Sequence, residues 1–170
     1  MDAIHSKQMQ EALAEAGKAL ALGEFPVGCV ISRNDQIVAR AHRTNSHNHA
    51  NELDHAEITA LRTLLNQEGE TAHHDSPLTA YATLEPCLMC FAALILNNVR
   101  TLVYAYEDVM GGGTGLDLSA LPPFYREMEI TIIPHVRRAD SLALFKDFFS
   151  NPETNYWPDS HLAHYTLSQP

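Results

Sequence analysis

TAYATLEPCLMCFAALILNNVRTLVYAY, residues 79–106, is the stretch whose reading decides the fold class. Its opening run, 79–84, is β-prone and reads as a strand. Pro86 then opens a helix running from Cys87 to about Leu96, because proline is favoured in the first helical turn, where its missing N–H costs nothing. Residues 101–106 form the next strand. A strand–helix–strand unit of this length implies parallel pairing and a sheet covered by helices.

Upstream, Met9, Leu13, Ala16 and Leu20 recur at helical spacing with Glu11, Glu15 and Lys18 on other faces, so an amphipathic helix over about 5–22 is expected, ended by Gly23. Residues 27–32 and 37–41 are short β-prone runs around the polar turn 33–36, a hairpin signal. A polar loop, 43–53, leads to Asp54, a good N-cap for a helix from His55 to about Gln67 that buries Ile58, Leu61, Leu64 and Leu65. Residues 68–77, with Gly69, His73, His74 and Pro77, read as an exposed connection. Downstream, glycines 111–113 and 115 lack the lysine and serine of a phosphate-binding loop and read as a flexible loop. A strand at 129–133 and a last helix capped by Asp140, with Leu142, Phe145 and Phe149 on one face, complete the core. The rest holds Tyr156, Trp157, His161, His164 and Tyr165 without clear periodicity. Residues 1–150 are therefore expected to form one domain and 151–170 an aromatic C-terminal tail that packs on it or on a partner subunit.

The 170 residues and 45% hydrophobic content suit one soluble globular domain. No apolar run reaches eighteen residues, and the start, MDAIHSKQ, is no signal peptide, so neither secretion nor membrane insertion is expected. Three cysteines make no disulfide framework, and two sit at ligand spacing, which points to a reducing, cytoplasmic setting. Eleven basic against 21 acidic residues give a net charge of −10, which disfavours long polyanions such as tRNA except at a local patch.

Two short motifs carry chemistry: Asp54-His55-Ala56-Glu57 and Pro86-Cys87-Leu88-Met89-Cys90. Cys87 and Cys90 share one helix face, in a first turn whose dipole favours thiolates, and His55 begins another helix. Three such donors suit Zn2+ and leave a fourth position for water, whereas a structural zinc site normally closes with four protein ligands. Bound zinc lowers the pKa of its water towards about 7. Glu57, two residues and about 200° beyond His55, stands beside the ligand set rather than in it and is placed as the acid/base that moves protons. Among the other donors, Cys29 reads as a small buried hydrophobe, while His42, His47, His49, His73 and His74 read as solvated.

H-A-E at 55–57 and T-L-E-P-C-L-M-C at 83–90 resemble the cytidine deaminase-like superfamily, whose signature pairs H-x-E with P-C-x-x-C. A-L-A-L-G-E-F-P-V-G-C at 19–29 is similar to its branch of tRNA adenosine, cytosine and guanine deaminases. The resemblance covers most of 5–150. It implies a three-layer α/β/α sandwich with a mixed, largely parallel central sheet, one catalytic zinc held by His55, Cys87 and Cys90, Glu57 as proton shuttle, and a homodimer. It also offers three substrate-binding candidates: Asn45, for the base-binding asparagine after the second strand; Asp108, after the fourth; and Trp157 which, with Asp159, is similar to tail residues that close the pocket in cytosine deaminases. The tRNA-acting members end in a basic helix, and this chain does not.

The resulting expectation is a zinc-dependent hydrolytic deaminase of a small nucleobase, nucleoside or related amino-heterocycle, releasing ammonia. A tRNA adenosine deaminase forming inosine is the alternative within the class. A non-catalytic metal-bound binding protein on the same fold is the alternative outside it.

Overall fold

The computed structural model describes residues 3–47, 51–68 and 76–170. Helix α1 (Ala3–Ala21) buries Met9, Ala12, Ala16 and Ala19 along one stripe, and Gly23, at φ 75°, follows its end. Strands β1 (Gly28–Arg33) and β2 (Gln36–His42) pair antiparallel. Asn34 and Asp35, at φ 49° and 63°, supply the left-handed pair that a two-residue hairpin turn requires and that these side chains tolerate. Helix α2 (Ala56–Glu68), strand β3 (Leu78–Leu84), helix α3 (Leu88–Leu96) and strand β4 (Val99–Tyr106) follow. The short helix α4 (Pro123–Arg126), strand β5 (Thr131–Ile133), helix α5 (Arg138–Ser150) and helix α6 (His161–Ser168) complete the chain.

The sheet order is β2-β1-β3-β4-β5. β3–β4 and β4–β5 are parallel, as the unit at 79–106 requires, while β1 runs antiparallel to both β2 and β3. The sheet is thus mixed, with two parallel and two antiparallel ladders, because the tight hairpin reverses the chain. Alternation along the strands sorts side chains between two faces. Cys29, Ile31, Ala80 and Leu102 join the larger core with Ala60 and Leu64 of α2 and Phe91 and Leu94 of α3. Val30, Tyr81, Val103 and Ala105 face Met9 and Ala12 of α1. Helices therefore cover both faces, giving the three-layer α/β/α architecture.

The structure differs from the sequence expectations at several points. Asp54 does not act as the α2 cap: its carboxylate accepts from Asn45, Asn51 and Arg62, and the His55 carbonyl takes the first helical bond, from Thr59. Asp140 lies inside the first turn of α5, paired with Arg137 at the cap position. The tail contains a helix, α6, started by Ser160, whose hydroxyl accepts from the Ala163 N–H. Leu162, Ala163 and Thr166 are the residues α6 buries, a stripe too short to stand out from sequence. His49, His73, His74 and most of the 68–77 connection lie outside the described residues. No helix among the described residues is long and apolar enough to cross a membrane.

Candidate metal centre and its cavity

Two helix starts converge on one point. Cys87 occupies the N-cap of α3 with extended backbone, and Cys90 lies one turn in. His55 immediately precedes α2. Its Nδ1 lies 3.6 Å from Cys87 Sγ and 3.4 Å from Cys90 Sγ, and the three donor atoms fall within 4.8 Å of one another. A tetrahedral zinc with Zn–S of about 2.3 Å and Zn–N of about 2.0–2.1 Å holds its sulfur and nitrogen ligands about 3.5 Å apart, so the donor set fits that ion.

The surroundings prepare these groups for a cation. The Cys90 thiol donates to Cys87, which, with His55 beside it, draws the Cys87 thiol down to about 4 against the opposing effect of burial. The Cys90 thiol is pushed up by the same bond and by burial. Burial opposes protonation of His55, yet its bond to Cys87 and the nearby Glu57 and Cys87 charges shift it upward. With Nδ1 turned to the sulfurs, His55 Nε2 faces Glu52 Oε2 at 3.2 Å, an arrangement that fixes the ring and its tautomer.

Glu57 lies in the first turn of α2, 2% exposed, and burial pushes its carboxyl above the ordinary range. Its Oε2 has no hydrogen-bond partner among the described residues. An orphaned buried carboxylate oxygen beside a metal-type donor set marks a place where a ligand or water belongs.

His55, Glu57 and Cys87 line a partly open cavity of about 70 Å3 together with Phe25, Arg43, Asp108 and Tyr156. One water needs roughly 10–15 Å3 on this measure, so the space suits one small ring. Gly111 and Trp157 belong both to it and to a broad outer recess that Met110 and Asp159 also line. Among the three residues named as substrate contacts, the structure brings Asp108 and Trp157 to the cavity. Asn45 is not among the lining residues: at φ 57°, its amide donates to Asp54 at 2.7 Å and holds the loop before α2.

Reading the sequence missed Arg43, Glu52, Glu85 and Tyr156. Glu85 also lines the cavity and gathers the 108–114 loop, accepting from Asp108 N, Thr114 N and Thr114 Oγ1. The glycine run is accordingly not a flexible loop. A Cβ on Gly112 would stand 2.5 Å from the Glu85 carboxylate, and one on Gly113 would stand 2.5 Å from Leu88 N, so the chain passes against the start of α3 where only glycine fits. Asp108 accepts from Met110 N and Gly111 N, and burial raises its carboxyl despite those bonds. On the other side, Tyr156 donates to Glu52 at 3.0 Å and stacks on Trp157, rings 4.9 Å apart and 9° from parallel. The available signal was the adjacency of two large aromatic residues in an otherwise polar tail.

Residues 2–106 match the model of the cytidine and deoxycytidylate deaminase zinc-binding region. A tRNA-specific adenosine deaminase of Streptococcus pyogenes serotype M18 is 37% identical over 106 residues, 62% of this chain and 64% of that one. The chain thus spans less than two thirds of the length of the streptococcal relatives it matches. A tRNA-specific adenosine deaminase of Rickettsia felis is 34% identical over 146 residues, 83% of this chain and 97% of the relative. A solved structure from work on A-to-I editing by tRNA:A34 deaminases superposes with TM-score 0.68 and 26% identity, covering 81% of this chain and 98% of that one. Guanine deaminase from Nitrosomonas europaea, at 21% identity and TM-score 0.66 over 84% of this chain and 83% of its own, shares the fold.

Proposed function

The chain belongs to the cytidine and deoxycytidylate deaminase zinc-binding family, and from that premise we propose that it is a hydrolytic deaminase of an amino-bearing heterocyclic base. The observation that carries the reading is Glu57, buried and unpaired at Oε2 beside His55, Cys87 and Cys90, within a cavity sized for one ring. His55, Cys87 and Cys90 would hold the zinc, which when bound would lower the pKa of a water so that it is activated at neutral pH. Glu57 takes a proton from the attacking water at Oε2 and passes it to a ring nitrogen, then takes the second proton of that same oxygen as the carbonyl forms and delivers it to the departing amine. The bond formed is C–O at the amine-bearing carbon, the bond broken is C–N, and ammonia leaves. Glu52 keeps His55 in the tautomer that turns Nδ1 to the sulfurs.

Two substrate readings follow. Adenosine in tRNA has the support of the named relatives and is the first substrate to assay. A small free base, nucleoside or related amino-heterocycle is favoured by a different observation, the tail residues Tyr156 and Trp157 lining a small cavity on a chain of net charge −10. The domain division belongs here too: residues 1–150 carry the chemistry and 151–170 cover it. A homodimer, resting on the family resemblance, and a cytoplasmic setting, resting on three free cysteines, complete the proposal. Zinc-loaded protein is to be assayed for inosine in an anticodon stem-loop and for ammonia from a panel of free aminopurines and aminopyrimidines. Turnover of the RNA alone selects the first reading, turnover of free rings selects the second, and turnover of neither in well-folded zinc-loaded protein overturns the deaminase proposal.

A further inference from the structure

Arg43 is the largest fully buried side chain among the described residues, 2% exposed, and it lines the cavity that His55, Glu57 and Cys87 also line. It stands one residue past β2, where its backbone N–H donates to Val27 O at 2.8 Å and fixes the start of the side chain. The guanidinium lies 5.6 Å from the centroid of the Tyr156 ring. Its Nη1 donates to Asn51 O at 2.7 Å, and its Nη2 reaches Glu52 at 3.4 Å. Its Nε is buried with no partner among the described residues.

Arginine keeps its charge in a protein interior, so the cavity permanently contains a cation. Its counter-ion is divided, because Glu52 also serves His55 and Tyr156 and its side chain is 51% exposed. A buried donor with no acceptor among the described residues is costly, and the cost is recovered when a ligand supplies that acceptor. Oxygen acceptors make the strongest partners for a guanidinium. A ring filling so small a cavity with its amine at Glu57 reaches Arg43 with another edge.

Resting on the small-ring form of the deaminase reading, and set against adenosine as the substrate, we infer that Arg43 is the specificity-determining residue of this cavity. Its Nε–H and charge bind an oxygen on the amino-heterocycle, a ring oxo group, while Tyr156 holds the guanidinium plane. Rings carrying an amine and an oxo group are accepted, and rings with nitrogen acceptors only are refused.

The test compares two pairs of rings that differ in that oxygen, cytosine with 4-aminopyrimidine and guanine with 2-aminopurine, in zinc-loaded wild type, Arg43→Gln and Arg43→Lys. The wild type should favour the oxo member of at least one pair by about a hundredfold or more in kcat/KM, as expected of a site built to bond a group its competitor lacks. In Arg43→Gln that ratio should fall at least tenfold with zinc content unchanged, and Arg43→Lys should lie between. Calorimetric titration of cytosine and guanine into Glu57→Ala protein, with and without Arg43→Gln, reads the same contact without turnover. Weakened binding there supports Arg43 even where turnover fails and the deaminase reading falls. A wild-type ratio near one, or equal losses for both members in Arg43→Gln, overturns the inference and leaves Arg43 as a tether for the 51–52 loop. Should Arg43→Gln not fold, the wild-type ratio and Arg43→Lys decide.

Discussion

His55 and Cys87 reach the cavity from the starts of two helices, with Cys90 beside them, whereas Tyr156 and Trp157 reach it from the irregular segment between α5 and α6. The first wall is locally determined: helix starts, i to i+3 spacing and the dipole aim the donors, and the Glu85-bound glycine loop packs against them from outside. The second is held by distant partners. Tyr156 packs edge-on to Phe25 at 5.1 Å and bonds Glu52, more than a hundred residues away. Trp157 sits at φ 52°, a left-handed conformation that costs of order 1–3 kcal/mol in a bulky residue and persists because stacking on Tyr156 supports it. The comparison teaches that one wall is fixed by local helix geometry, while the other is assembled by packing between distant segments.

Four experiments sharpen or break this contrast. The largest effect is expected at Glu57: Glu57→Ala should keep its zinc, measured by metal analysis, and lose about 10²–10⁴-fold in turnover. Activity within about tenfold of wild type removes Glu57 from proton transfer, and failure of both would mean the wall itself had collapsed.

The next test compares two glycines of one loop. Gly113→Ala drives a Cβ into the Leu88 backbone and should cost about 1–3 kcal/mol in chemical denaturation, while Gly115→Ala, with nothing within 4 Å, should be close to neutral. Equal effects would show that the loop does not brace the metal wall.

On the cover, Trp157→Ala should raise KM for a ring substrate by about tenfold and leave kcat within about threefold, since stacking on an aromatic face strengthens binding without touching the reacting bond. A loss confined to kcat would instead place Trp157 in the chemistry.

The smallest effect concerns the anchor of the tail. Glu107 accepts from Arg138 and from Tyr165 of α6; burial opposes its ionisation, but these partners hold its carboxyl at about 2, below its ordinary 4.5. A carboxyl lowered by folding contributes stability in full above the unfolded value and loses it as pH falls from about 4.5 through about 2. Glu107→Gln should therefore melt lower than wild type, by about 2 kcal/mol, at pH 6, with the difference shrinking towards pH 2. A pH-independent difference would show that packing, not this ion pair, anchors α6.

The strand–helix–strand reading at 79–106 gave parallel β3 and β4, and the residues expected to meet, His55, Glu57, Cys87 and Cys90, do lie together, because each is fixed by the helix it starts. Asn45 read as a cavity residue only by its place after the second strand, yet its short amide bonds Asp54, and Arg43, two residues earlier, occupies the cavity instead. No local pattern separates a surface arginine from a buried one. Likewise, the glycine run looked flexible because glycine permits flexibility as readily as close approach, and only the Glu85 carboxylate and the α3 backbone lying against it decide between the two.

By itself the sequence determined the candidate metal donors, the carboxylate of Glu57 beside them and the parallel half of the sheet, since these depend on periodicities of a few residues and on the chemistry of individual side chains. The tertiary structure decided that Arg43 is buried, that Glu52 joins His55 to Tyr156, and that Tyr156 and Trp157 line the cavity. Each of these depends on which surfaces meet when distant segments pack, and that information resides in no single stretch of the chain.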